Sequence, residues 1–179
     1  MKLVILDRDG VINRDSDEYI KSAAEWEALP GSLEAITRLS QNGYRVVIAS
    51  NQSGLARKKF SITDLHTIHR KMLDHLSQYG GTIDAIFFCP HGPRQGCECR
   101  KPKPGLLKQI ASKLRTSLDD VPYIGDKLID VETAINAGAR PILVRTGKDG
   151  AQIKYEKLPD NVSVYQDLSE AVDDLLRTQ

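Results

Sequence analysis

Short β-branched runs alternate with longer stretches of helical apolar spacing along this chain, and no other feature restricts its possible folds as much. The runs at residues 2–7, 44–51, 84–89, 121–126, 140–145 and 162–165 read as strands, and the stretches at 32–41, 62–79, 105–114, 129–137 and 168–177 as helices. Strands that are apolar at nearly every position are buried on both faces, as in a parallel sheet. Strand and helix in alternation then imply βαβ units with right-handed crossovers. The predicted fold is therefore α/β, a mainly parallel sheet between helical layers. At 179 residues the chain suits one domain, 1–179, with little left for a second.

Local signals sharpen the element ends. Ser61 can cap the helix at Ile62 with Asp64 three residues on, and Phe60 can staple onto Leu65. Gly80-Gly81 stops that helix, and Gly138 supplies a left-handed residue after Ala137. Residues 13–21 and 90–104 read as irregular, and a loop so rich in Pro, Gly and Cys needs a staple other than an apolar core.

Composition limits the partners. With 25 basic and 24 acidic side chains, net +1, the chain lacks the clustered cations that a broad nucleic-acid surface needs. A single phosphate pocket, which takes two or three cations, remains open. No apolar run approaches the roughly 20 residues that cross a bilayer. The first apolar run meets Asp7 before a secretory h-region can form, so a cytoplasmic compartment is expected. Thiols stay reduced there, so Cys89, Cys97 and Cys99 are expected free or metal-bound. A monomer is the expected state.

In an open α/β sheet, ligands sit beyond the carboxyl ends of the strands. The first strand delivers Asp7-Arg8-Asp9-Gly10-Val11, and residues two apart on an extended segment face one side. Asp7 and Asp9 can thus share a site, and a divalent cation with oxygen ligands, most simply Mg²⁺, relieves their repulsion. An isolated Asp-x-Asp is ordinarily two solvated turn acids. Here it has company. The second strand ends in Ser50-Asn51-Gln52-Ser53-Gly54, whose hydroxyls and turn amides suit phosphate oxygens. The fourth ends in Gly125-Asp126-Lys127, and between them lies Arg100-Lys101-Pro102-Lys103 before a helix start. Each alone reads as a polar turn, a helix N-terminus or a solvated basic loop. Together, at corresponding strand ends, they form one constellation.

In that order Asp7-Arg8-Asp9-Gly10-Val11, Ser50, Lys101 and Gly125-Asp126 resemble the four motifs of the haloacid dehalogenase (HAD) superfamily of phosphohydrolases. Ser50-Asn51-Gln52-Ser53-Gly54 and Cys99-Arg100-Lys101-Pro102 are similar to the branch holding heptose-bisphosphate and histidinol-phosphate phosphatases, with Ser50 where that branch usually has Thr. The likeness runs from about residue 2 to 146 and implies a HAD-like Rossmannoid fold. It also implies Asp7 as nucleophile, Asp9 as general acid and base, and Ser50 and Lys101 on the transferring phosphoryl group. Mg²⁺ would be held by Asp7, Asp126 and the Asp9 carbonyl, with Asp130 helping through water, and Lys127 would also reach the phosphate.

Cys89-Pro90-His91 and Cys97-Glu98-Cys99 place four soft ligands within eleven residues, a complete Cys₃His set for structural Zn²⁺. The competing reading is three unrelated thiols and a surface histidine. The heptose-bisphosphate phosphatases carry such a loop, which agrees with zinc. Arg100 and Lys101 follow Cys99 directly, so a metal clip would fix where these cations point. His66, His69 and His75 read as exposed residues of one helix.

Residues 13–30 and 90–105 are too short for a large cap domain, so an open site framed by loops is expected. The resemblance implies a phosphosugar substrate: hydrolysis of the C7 phosphate of a heptose 1,7-bisphosphate in ADP-heptose and lipopolysaccharide core precursor synthesis. Arg100 would grip the C1 phosphate, Arg57 would add charge, and Asp15, Ser16, Asp17, Glu18, Tyr19, Asn51, Gln52, Ser53 and Lys127 would supply further contacts. Histidinol phosphate is the rival substrate, with Asp15, Asp17 and Glu18 able to receive its cation. A catalytically inactive zinc-containing binding module is the alternative of another class, and intact Asp7, Asp9, Lys101 and Asp126 argue against it.

Overall fold

The computed structural model describes residues 2–148, 153 and 158–178. The strands are β1 (Lys2–Leu6), β2 (Tyr44–Asn51), β3 (Ala85–Cys89), β4 (Pro122–Gly125), β5 (Arg140–Val144) and β6 (Ser163–Tyr165). The helices are α1 (Ser32–Gln41), α2 (Ile62–Gln78), α3 (Gly105–Leu114), α4 (Leu128–Ala137) and α5 (Leu168–Arg177), with a 3₁₀ turn at Ala23–Glu25. The sheet order is β3-β2-β1-β4-β5-β6 and every pairing is parallel.

Period-2 alternation sends neighbouring residues of β1 to opposite faces. Val4 and Leu6 pack with α1, α2 and α5 around Ile36, Met72 and Val172. Leu3 and Ile5 pack under α3 and α4 against Leu107, Ile110 and Ala134. Both faces are covered, which is why the strands read as continuous apolar runs. The helix caps follow the sequence: Ser61 and Asp64 form a reciprocal capping box, and Gly138 ends α4 at φ 77°. Phe60 turns inward, edge-on to Tyr19, into space that Gly54 leaves free.

Two details differ from the sequence reading. Strands β1, β4 and β5 stop one residue earlier than predicted, because Asp7, Asp126 and Arg145 leave the ladder to enter loops. Asp7 nonetheless keeps one tie, donating its amide to Ile124 O at 2.8 Å. His69 is buried rather than exposed, and His75 stacks edge-on to Trp26. Helical spacing identifies an apolar stripe, but it does not say how wide a stripe the neighbouring strands will cover.

Residues 13–30 form no cap. They fold onto the body, where Lys71 Nζ donates to the carbonyls of Ala23 and Trp26 at 2.7 and 2.8 Å. No helix among the described residues is long and apolar enough to cross a membrane. The chain steps from β1 to β2 to β3 in one direction, then returns past β1 to β4. Connections diverge at that reversal and leave a crevice beyond the ends of β1 and β4.

Candidate active site

Asp7 follows β1 and Asp126 follows β4, so the reversal brings these two buried carboxylates together, with Asp130 close by. Gly10 makes the approach possible. It holds φ 85°, and a Cβ there would run into the Asp126 carboxylate, as would one at Gly147. Thr146 Oγ1 secures the turn by donating to Gly10 O at 2.7 Å.

Lys101 reaches the same point from the loop before α3. Its Nζ lies 2.9 Å from Asp7 Oδ2, 2.6 Å from Asp130 Oδ1 and 2.9 Å from the Tyr123 hydroxyl. Burial would lower the Lys101 pKa, but Asp130 and Asp7 together hold it well above the usual range. The Asn51 side chain fixes the Lys101 backbone, accepting from its amide at 3.1 Å and donating to its carbonyl at 3.4 Å.

Asp130 has a different place from the one expected of it. Oδ1 takes Lys101 Nζ and the Tyr123 hydroxyl, and Oδ2 takes the amides of Asp126 and Lys127. Its acceptor capacity is filled by protein donors, so it anchors Lys101 and caps α4. Asp126 is the opposite case. Both of its oxygens are buried and find no hydrogen-bond partner among the described residues, Lys127 Nζ standing 4.0 Å off. An unpartnered buried carboxylate beside a second carboxylate is a site that a hard dication fits.

The carboxyls record that shortage of positive charge. Burial pushes Asp7 up to about 6 against the pull of Lys101. Burial and then Asp7 push Asp126 up to about 8. A carboxyl whose folded pKa exceeds its unfolded value stabilises the fold most below the ordinary value near 4, and that stability is lost as pH rises through the folded pKa. The metal-free protein is therefore expected to lose stability from these groups between about pH 4 and 8. In EDTA, Asp126→Asn should exceed wild type in Tm by about 3 °C or more at pH 8, with a smaller gap at pH 5. Magnesium should stabilise wild type and not the variant. A gap that does not grow with pH would refute the charge argument; differential scanning fluorimetry reads it directly.

Asp9 lies on the cavity wall in a different environment. Burial alone would raise its pKa, but Arg8 and the amides of Asn13 and Gln52 hold it below the usual range. Asn13 Nδ2 donates to Oδ1 at 2.9 Å and Gln52 Nε2 to Oδ2 at 3.0 Å. The cavity measures about 370 Å³. Asp7, Asp9, Asp15, Ser16, Asp17, Tyr19, Asn51, Gln52, Ser53, Arg100, Lys101 and Lys127 line it, so the structure brings most of the predicted set together.

Some predicted residues fall elsewhere. Ser50 is buried behind Gln52, which donates to its hydroxyl at 3.2 Å. Glu18 is exposed outside the cavity lining, and Arg57 lines an adjoining groove with Arg94 and Gln95. Lys127 Nζ is paired with Asp15 at 2.8 Å and stands 4.0 Å from Asp126. Residues missed by the sequence reading are Arg8, Asn13, His69, Tyr123 and Lys148, the last paired with Asp17 across the cavity rim at 2.6 Å. Only Arg8 had a visible signal, a cation between two acids at the end of a buried strand.

The cysteine loop closes on itself. Cys89 Sγ lies 3.6 Å from Cys97 Sγ, 3.2 Å from Cys99 Sγ and 3.6 Å from His91 Nδ1, which is 3.3 Å from Cys99 Sγ. A tetrahedral zinc with bonds near 2.0–2.3 Å separates its ligands by roughly 3.3–3.8 Å, so three of these separations fit and the Cys89–Cys99 pair would need to open by a few tenths of an ångström. Arg100 Nη1 donates to His91 O at 3.2 Å, tying the loop to the cavity wall.

A family model described as HAD-hydrolase-like matches residues 98–171. The D-glycero-beta-D-manno-heptose-1,7-bisphosphate 7-phosphatase of Bordetella bronchiseptica is 51% identical over 99% of both chains. The enzyme of that name from Pseudomonas aeruginosa is 44% identical over 98% of both. The chain belongs to this phosphatase family. The solved D,D-heptose 1,7-bisphosphate phosphatase of B. bronchiseptica, complexed with magnesium and phosphate, superposes with a TM-score of 0.97 at 50% identity, covering 100% of both chains. As a heptose-bisphosphate phosphatase family member, the chain has the α/β HAD-like fold that its strand-end motifs implied.

Proposed function

We propose that this chain is a magnesium-dependent phosphoric monoester hydrolase that removes the C7 phosphate of D-glycero-beta-D-manno-heptose 1,7-bisphosphate through an aspartyl-phosphate on Asp7. The observation that carries the reading is the meeting of Asp7, Lys101 and the unpartnered Asp126 at the sheet reversal. Full-length similarity to the Bordetella and Pseudomonas enzymes names the substrate and its beta anomer.

Most of these residues have a task that their surroundings suit, while Asp9, held below the usual carboxylate range by Arg8, Asn13 and Gln52, must first take up the proton it delivers. Asp7 Oδ attacks phosphorus in line, forming an O–P bond as the bond to the C7 oxygen breaks. Asp9 gives that oxygen a proton, then takes one from the water that cleaves the aspartyl-phosphate. Lys101, held by Asp130 and Tyr123, neutralises charge on the transferring group without having to be ordered at that moment. Asp7, Asp126 and the Asp9 carbonyl would hold magnesium, whose charge lets neighbouring carboxylates stay ionised and offsets phosphoryl oxygens. Ser50 would turn its hydroxyl from Gln52, and Lys127 its ammonium from Asp15, to the transferring phosphoryl group. Cys89, His91, Cys97 and Cys99 would hold zinc with no ligand position left open, and the metal would supply rigidity.

Arg100 is the residue for the second phosphate, because it lines the cavity one position from Lys101 and carries a fixed fork geometry. Arg100→Ala should lower kcat/KM for the bisphosphate about 100-fold and that for a sugar monophosphate by less than threefold. Equal losses on the two would remove the assignment. Phosphate release from the bisphosphate, run beside histidinol phosphate, tests the substrate itself: preference for histidinol phosphate would reverse the reading, and no release from either would favour a binding module.

A further inference from the structure

Arg8 stands between two acids of the site and has no part in the chemistry above. Its side chain is wholly buried. Nε and Nη2 grip the Asp9 carboxylate at 2.9 to 3.1 Å, and Nη2 reaches Gln52 Oε1 at 3.5 Å. The remaining nitrogen, Nη1, lies 3.2 Å from His69 Nε2. His69 sits mid-way along α2, 7% exposed, its ring tilted against Phe88 of β3.

Arginine is always charged and only donates, so His69 Nε2 must accept and the ring must be neutral with its proton on Nδ1. The surroundings enforce that form: burial first, then Arg8, pull His69 down to about 3. His69 thus accepts from Nη1, the one nitrogen of this buried guanidinium that serves neither Asp9 nor Gln52. Without that acceptor a buried N–H is left unsatisfied and the guanidinium must turn to find another. The Asp9 carboxylate, held on the guanidinium fork, turns with it.

We propose that His69 is a positioning residue for the proton transfers of Asp9, acting through Arg8, an inference that rests on the acid–base reading of Asp9. The test compares His69→Met, which removes the strong acceptor, with His69→Gln, whose amide oxygen can accept from Arg8. Substrates are the heptose bisphosphate, whose alkoxide must be protonated to leave, and p-nitrophenyl phosphate, whose phenolate leaves unaided. His69→Met should lower kcat/KM for the sugar about tenfold and for the nitrophenyl ester less than twofold. His69→Gln should regain most of the sugar activity. Equal losses on both substrates, an unchanged His69→Met or a Gln variant no better than Met would overturn the inference.

Asp9→Asn separates the two levels. If it shows the leaving-group contrast and His69→Met does not, the His69 inference alone falls. If Asp9→Asn shows no contrast, the acid–base reading falls and takes this inference with it. Should His69→Met not fold, ¹⁵N NMR of the wild-type protein decides. A neutral Nδ1–H ring from pH 5.5 to 8 supports the inference, and an imidazolium or Nε2–H ring overturns it.

Discussion

Asp7→Asn is expected to lower phosphate release from the bisphosphate by about 10⁵-fold while the fold and the zinc content stay intact. The amide has almost the volume of the carboxylate, so the buried site is not opened. Its oxygen can keep one of the two donors that Asp7 now accepts, the Arg8 amide at 2.8 Å or Lys101 Nζ at 2.9 Å, and Lys101 keeps Asp130 and Tyr123 in either case. Removing one charge also relieves Asp126, whose pKa is raised partly by Asp7. Stability is therefore kept while the nucleophile is lost. The measurement is single-turnover release by freshly purified protein, with intact-mass analysis to exclude deamidation back to Asp. A non-deamidated variant within tenfold of wild type would mean that phosphorus is attacked by something other than Asp7.

Cys97→Ala,Cys99→Ala is expected to abolish zinc binding and lower kcat/KM for the bisphosphate by about 100-fold or more. Two of four ligands cannot hold a structural zinc against solvent. The loop then loses its metal staple, and residues 90–104 contribute little to either apolar cluster. Arg100 depends on that loop through His91 O, and Lys101 follows it in the chain. The loss should exceed that of Arg100→Ala, since both cations are displaced. Metal analysis of wild type should return about one zinc per chain. Zinc-free wild type, or a double variant of full activity, would refute the account.

Much of this architecture was legible in the residues. Among the described residues, period and β-branching located the six strands and five α-helices but not the 3₁₀ turn at Ala23–Glu25, and alternation of strand with helix dictated parallel pairing. The Ser61–Asp64 box and Gly138 marked true helix ends because caps are local chemistry. The zinc set was legible for the same reason, since all four ligands lie within eleven residues. The partners of those groups were not. Asp130 was expected to help a metal through water, yet Oδ1 takes Lys101, twenty-nine residues away, and Tyr123, while Oδ2 takes the amides of Asp126 and Lys127. Arg57 and Glu18 were grouped with the site by resemblance, and in the fold Arg57 lines another groove while Glu18 is exposed outside the cavity lining.

The sequence by itself determined the layered fold, the strand-end acids and the cysteine clip, because periodicity, capping and short-range ligand spacing act between near neighbours. Only the tertiary structure decided which acids share a cation and which are already satisfied. It alone showed that Arg8 is wholly buried and that His69, sixty-one residues away, faces its Nη1. Burial and long-range pairing set charge state in a folded protein, and neither is a property of any short stretch of chain.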